Sequence, residues 1–267
     1  MRLKSVVFKH GEIVLTVWFK KELSVKQDAR FMIFCYGLPS HPYQHNPAKV
    51  EAFCDKGFIL VYPNYAGTWA SDGVMNWESC VESIHKTIAF LKKGNGLSAY
   101  DNKEFSWNVK DITLVGGSFG GSVALVAGAK SRIIKNIIAV AAPTNWRNHS
   151  RIPEETAEPI EGLFYAVQRG WRNLWRIPSK KEWMRLATGS ADLNAVDYVR
   201  ELKYKNVMLI HGKNDPVVSV KRSIDIYDAI KKASGKKRLI ILKNEGHLGN
   251  DAIGNSSVMK QVLEFLS

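Results

Sequence analysis

The 267-residue chain contains no apolar run long enough to span a bilayer, and Met1-Arg2-Leu3-Lys4-Ser5 leads into a strand-like pattern instead of a signal peptide. A cytoplasmic protein without a membrane span is expected. Cysteine is scarce: Cys35, Cys54 and Cys80 are odd in number and scattered, which argues against a disulfide framework or a thiolate metal site and for buried thiols in a reducing compartment. The histidines at 41, 45, 85, 149 and 211 form no HExxH or comparable set, so no metal or other cofactor is expected. No internal repeat or low-complexity linker interrupts the chain. The net charge of +13 could suit an anionic partner, yet the basic residues are spread along the chain beside acids and no recognition module accompanies them. The expectation is a solvated basic surface and no nucleic-acid partner.

What is present is organised around Asp111 to Gly128. A β-branched run, Ile112 to Val115, passes directly into Gly116-Gly117-Ser118-Phe119-Gly120-Gly121 and then into the small apolar residues Val123 to Ala127, an order that predicts strand, tight turn and helix. Gly116-x-Ser118-x-Gly120 fits a nucleophile elbow, where only glycine-sized neighbours let strand and helix approach. A serine so placed stands at a helix N-terminus, whose dipole favours the negative charge formed in acyl transfer. No Gly-Lys-Ser/Thr follows, and the spacing is wrong for a dinucleotide turn, so a phosphate loop is excluded.

The flanking sequence alternates strand and helix. Ser5–Phe8 and Ile13–Phe19 predict an antiparallel hairpin; Phe31–Tyr36, Phe58–Tyr62, Ile133–Ala142, Val207–Ile210 and Arg238–Leu242 predict strands. Helices are predicted over Asn46–Lys56, Asn76–Lys93, Val218–Ala233 and Ser256–Leu266. Between Thr144 and Leu202 the strand pattern disappears and Trp146, Trp171, Trp175 and Trp183 appear, half of the eight tryptophans. This reads as a helical cap inserted at 144–202 in a single α/β domain covering 1–267, with a mainly parallel sheet and helices on both faces.

A serine hydroxyl needs a base to take its proton, so an elbow at Ser118 requires an acid and then a histidine further along. Asp215 follows one predicted strand in His211-Gly-Lys-Asn-Asp215-Pro, and His247 follows the next in Glu245-Gly246-His247. Groups at the carboxyl ends of neighbouring parallel strands can converge above the sheet. Ser118 is then the nucleophile, His247 the general base and Asp215 the residue that orients it, with oxyanion donors expected from the N–H groups of Phe119 and Leu38. Tyr65, Trp146, Trp171 and Trp175, with the ring of Phe119, are candidate walls of a substrate pocket between sheet and cap.

Gly116-Gly-Ser118-Phe-Gly-Gly121, Pro63-Asn-Tyr-Ala-Gly-Thr68, His211-Gly-Lys-Asn-Asp215-Pro-Val-Val218 and Glu245-Gly-His247 together resemble the catalytic domain of the prolyl oligopeptidase family and its propeller-free esterase relatives, within the α/β-hydrolase superfamily. Ala66 stands where that family commonly has the arginine of Asn-Tyr-Arg-Gly. The resemblance implies an α/β-hydrolase fold and a serine hydrolase that takes a small-molecule ester or a short peptide. Ester cleavage through an acyl-enzyme is the leading expectation. The alternatives are an aminoacyl-peptide or oligopeptide hydrolase of the same mechanism, and a non-catalytic binding protein on a hydrolase fold.

Overall fold

The computed structural model describes residues 2–25, 28–42, 47–149, 152–156 and 159–267. The chain opens with β1 (Lys4–His10) and β2 (Ile13–Phe19), an antiparallel hairpin closed at Gly11, whose φ of +58° suits glycine. Next come β3 (Asp28–Cys35), α1 (Pro47–Asp55), β4 (Phe58–Pro63) and α2 (Trp77–Lys93). The start expected for α1 at Asn46 lies outside the described residues. A small hairpin, β5 (Asn95–Leu97) with β6 (Glu104–Ser106), precedes β7 (Asn108–Gly117), α3 (Phe119–Lys130) and β8 (Asn136–Val140). The region 144–202 holds α4 (Ile160–Gly170), α5 (Lys180–Trp183), α6 (Arg185–Thr188), α7 (Val199–Leu202) and two short 3₁₀ turns. The chain closes with β9 (Asn206–Gly212), α8 (Lys221–Ile230), β10 (Lys237–Leu242), a 3₁₀ turn at Asn250–Gly254 and α9 (Ser256–Leu266).

Eight strands form one sheet in the order β1-β2-β4-β3-β7-β8-β9-β10, and every pairing from β4 to β10 is parallel. Among the described residues β2 alone runs opposite to the other strands of the sheet. Because both faces are covered, central strands are continuously apolar: all six residues of β4 are buried. The helix α3 is buried all round, which its run of alanine, valine and leucine allows, because α2 and the 144–202 region cover the side turned away from the sheet. Among the described residues no helix is long and apolar enough to cross a membrane.

Local chemistry explains where these elements stop. Asn76 caps α2 by accepting from Ser79 N–H while the Ser79 hydroxyl accepts from Asn76 N–H, and Gly94 ends the helix at φ +81°. The start of α8 is Lys221 and not the expected Val218, since the amides of Val217 and Val218 are bonded to the Asp215 carboxylate and not to a helical turn. β7 begins at Asn108, four residues before its apolar run, because its polar first half pairs with β3 from Asp28↔Asn108 onward.

Candidate active site

Ser118 stands between β7 and α3 with φ +54° and ψ −128°, a conformation that costs a non-glycine residue about 1–3 kcal/mol. Its N–H is held by Val140 O of β8 at 2.8 Å. A serine at a helix N-cap ordinarily spends its hydroxyl on the helix; here it makes no cap bond, and the twisted backbone turns Oγ elsewhere. The turn is tight enough that a Cβ on Gly116 would collide with the carbonyl of Gly120, and one on Gly120 with the carbonyl of Cys35.

Two loops at the same end of the sheet bring the other two groups in. The loop after β9 and the loop after β10 are tied by Asn214 N–H to Glu245 O (3.0 Å), Lys213 N–H to Leu242 O (2.9 Å) and Asn214 Nδ2 to Lys243 O (3.3 Å). His247 Nε2 lies 3.0 Å from Ser118 Oγ, and His247 Nδ1 lies 2.8 Å from Asp215 Oδ2. An ionised carboxylate only accepts, so Nδ1 carries the proton, and Nε2 accepts from the Ser118 hydroxyl. Burial would raise the Asp215 carboxyl, but hydrogen bonds from His211 and His247 and from Val218 N–H hold it well below its ordinary value, so it stays charged.

One member of this cluster carries no role in the sequence reading. His211 is wholly buried at the end of β9; its Nε2 donates to Val218 O at 2.8 Å and lies 3.3 Å from Asp215 Oδ2, while its Nδ1 is 2.7 Å from Ser223 Oγ. A carbonyl cannot donate, so His211 carries its proton on Nε2, and Asp215 sits between two imidazoles. The visible signal is a histidine closing an apolar strand four residues before the acid.

A cavity of about 410 Å³ opens at Ser118 and His247. Its wall is the loop from Gly37 to Pro42, the α1 residues Lys49, Val50 and Phe53, and the stretch Leu248 to Gly254, with Phe34, Leu60 and Tyr62 along the sheet. Leu38 belongs to that wall, and a Cβ on Gly37 would stand 3.7 Å from Ser118 Cβ, so the loop bearing Leu38 N–H passes beside Ser118. Phe119 N–H is in the first turn of α3, where amides have no partner within the helix. Lys49 Nζ donates to Asp251 O at 2.6 Å and joins two sides of the wall.

The aromatic residues expected to line a pocket are elsewhere. Tyr65 is wholly buried, stacked on Tyr36 at 4.3 Å and bonded through its hydroxyl to Tyr36 O. Trp146 is buried against Phe119, and the ring of Phe119 is enclosed by Tyr65, Trp77 and Trp146. Trp175 is fully buried, with its indole N–H on Ser40 O at 3.3 Å; Trp171 is half-buried beside Trp69. None of these side chains lines the cavity, and neither does any described residue of 144–202. The expectation of a pocket between sheet and cap is therefore corrected: aromatic packing fills that space. Among the described residues, no group of three His, Cys, Asp or Glu could hold a metal ion.

Residues 44–267 match the model of the prolyl oligopeptidase family. The chain belongs to the prolyl oligopeptidase family. Its structural likenesses agree on the α/β-hydrolase fold. An esterase of Pyrococcus furiosus superposes with a TM-score of 0.65 at 18% identity, covering 99% of this chain and 90% of that one. The acylaminoacyl peptidase of Pyrococcus horikoshii gives 0.65 at 16% identity, covering 99% of this chain but 41% of that one. Among curated relatives, an Xaa-Pro dipeptidyl-peptidase of Pediococcus pentosaceus is 21% identical over 218 residues, or 71% of this chain. This member of the family spans 27% of that relative's length.

Proposed function

We propose that this chain is a serine hydrolase that cleaves carboxylic esters through an acyl-enzyme, with Ser118 as nucleophile, His247 as general base and acid, and Asp215 as the group that orients the imidazole and balances its charge. The observation that carries the reading is the chain of contacts Ser118 Oγ, His247 Nε2, His247 Nδ1 and Asp215 Oδ2 at 3.0 and 2.8 Å, ending on a serine whose backbone is twisted out of the ordinary helix start.

In this reading the Ser118 hydroxyl gives its proton to His247 Nε2 as Oγ bonds to the acyl carbon. The oxyanion takes hydrogen bonds from Phe119 N–H and Leu38 N–H, a pair of fixed donors of a kind worth about 3–4 kcal/mol each in the transition state. His247 then protonates the leaving alcohol, and water deacylates the serine by the same steps in reverse. The substrate enters the cavity between the 37–42 loop, α1 and the 248–254 stretch. The chain acts as one α/β-hydrolase domain in which 144–202 is an inserted cap that buttresses the site without forming its pocket: Trp175 and Trp69 both donate to Ser40 O, fixing the turn that bears Leu38.

The acylaminoacyl peptidase among the similar structures and the dipeptidyl-peptidase among the relatives support amide cleavage as a second reading of the same machinery. Fluorophosphonate labelling with peptide mapping tests the nucleophile, and p-nitrophenyl esters against aminoacyl p-nitroanilides separate the two readings. Label on Ser118 with ester turnover exceeding anilide turnover is expected. Absence of label together with no turnover of either class would leave a non-catalytic binding protein.

A further inference from the structure

The strands β8, β9 and β10 begin at the pole of the molecule opposite Ser118, and three short stretches meet there: 131–136, 203–206 and 231–238. They contain no aspartate or glutamate. They are bonded to one another by Asn206 N–H to Lys135 O (2.8 Å), Lys236 N–H to Asn206 Oδ1 (2.8 Å) and Val207 N–H to Lys236 O (2.9 Å). Two lysines act as pins. Lys205 Nζ donates to Ser131 O and Ile134 O at 2.5 and 2.8 Å, and Lys237 Nζ to Lys203 O, Lys205 O and Gly235 O at 3.1, 2.7 and 2.9 Å. Both ammonium groups are partly desolvated, which lowers their pKa.

With the two pins holding the stretches in place, the cations left at the surface are Arg132, Lys135, Lys203, Lys232 and Lys236, all exposed and none in an ion pair among the described residues. Three acids stand at the margin: Glu201 is exposed on α7, Asp228 is engaged by Lys231, and Glu264 of α9 by Arg238. Set among these cations are two large exposed side chains, Ile133 at 49% and Tyr204 at 73% accessibility. Isoleucine has no use against a phosphate backbone. At a bilayer boundary it can enter the acyl region, while a tyrosine ring sits at headgroup level and the ammonium groups meet anionic lipid.

We propose that this pole, where Arg132, Ile133, Lys135, Lys203, Tyr204 and Lys236 stand on three mutually bonded stretches, docks the protein on an anionic bilayer surface. Docking there leaves the catalytic cavity, at the carboxyl ends of the strands, facing water.

The test is sedimentation of the full chain with vesicles of phosphatidylcholine alone and of phosphatidylcholine mixed with phosphatidylglycerol, at low and high salt. Binding to the mixed vesicles only, released by salt, is expected. Lys203→Gln with Lys236→Gln should weaken partitioning about 25-fold, at about fivefold per cation removed. Ile133→Ser with Tyr204→Ser should weaken it too while leaving its salt dependence unchanged. Thermal unfolding of each variant confirms that the fold is kept, since all four positions are exposed. Equal behaviour toward neutral and mixed vesicles, or wild-type partitioning by the lysine variant, would overturn the proposal. So would binding to duplex RNA without binding to the mixed vesicles, which would make nucleic acid the partner.

Discussion

Two regions border Ser118, and the sequence led to the expectation that the aromatic one holds the substrate. The 144–202 region is rich in tryptophan, yet its large rings are spent on packing: Trp183 lies 4.6 Å from Trp77 and donates its indole N–H to Ile160 O, and Trp175 reaches Ser40 O. Across Ser118, the wall from Gly37 to Pro42 and from Leu248 to Gly254 is made of turns with glycine, proline and serine, too small and too constrained to fill the space they enclose. The difference teaches that a pocket forms where backbone turns leave room. A large aromatic ring surrounded by others closes the room it lines, because packing to crystal-like density is where its stabilisation comes from.

The contrast is broken most completely at Ser118, the proposed nucleophile between the two regions. Ser118→Ala should lower kcat/KM for a p-nitrophenyl ester by about 10⁵–10⁶-fold, whereas Ser118→Gly should lose activity equally and gain about 1 kcal/mol of stability in urea titration, because glycine accepts φ +54° without strain. Asp215→Asn should cost about 10⁴-fold and leave measurable turnover, since His247 loses its charged partner and its preferred tautomer but keeps its contact with Ser118. Equal activity in the asparagine variant would move the acid elsewhere.

The join between the 144–202 region and the site comes next in size. Glu155 in that region holds the Arg222 guanidinium at 2.5 and 2.7 Å and accepts from Ser219 N–H, while Thr156 N–H bonds Pro216 O beside Asp215. Both side chains of the pair are buried. Glu155→Ala should destabilise the fold by about 3–5 kcal/mol, because a buried guanidinium loses its counter-charge. Burial alone would raise the Glu155 carboxyl; the bonds from Arg222 and Ser219 lower it below its ordinary 4.5. A depressed folded pKa stabilises fully above 4.5 and loses that contribution as pH falls through the folded value, so the gap between wild type and variant should shrink on acidification below 4.5. Denaturant titration across that range measures it.

How far the sequence reveals this comparison depends on which interactions are local. The elbow, the alternation of strand and helix, and the order of Ser118, Asp215 and His247 are written in turn residues and apolar runs, so their placement is legible. The three-residue strands of β5 and β6 carry no periodicity to detect, and their residues fall in what reads only as a polar connection. The cavity wall was hidden for a different reason. Lys49 and Asp251 meet across about two hundred residues of chain, and Trp175 reaches Ser40 from the other direction, contacts that no local pattern encodes. Aromatic content pointed to the wrong side because the same residues build cores and pockets, and only neighbours decide which.

The smallest expected effect separates the two regions most cleanly. Val50 on α1 is 2% exposed yet borders the cavity, so Val50→Phe should fill the cavity and discriminate against long acyl esters relative to acetyl esters by about tenfold in kcat/KM, the scale set by one or two methylenes in an apolar pocket. Trp171, half-buried beside Trp69 and outside the cavity wall, should tolerate Trp171→Ala with kcat/KM changed by no more than about twofold for esters of any length, while losing about 1 kcal/mol of stability from its contact with Trp69. If Trp171→Ala altered chain-length preference and Val50→Phe did not, the acyl group would have to lie against the tryptophan-rich region after all, and the cavity beside α1 would serve the leaving alcohol or stay empty during turnover.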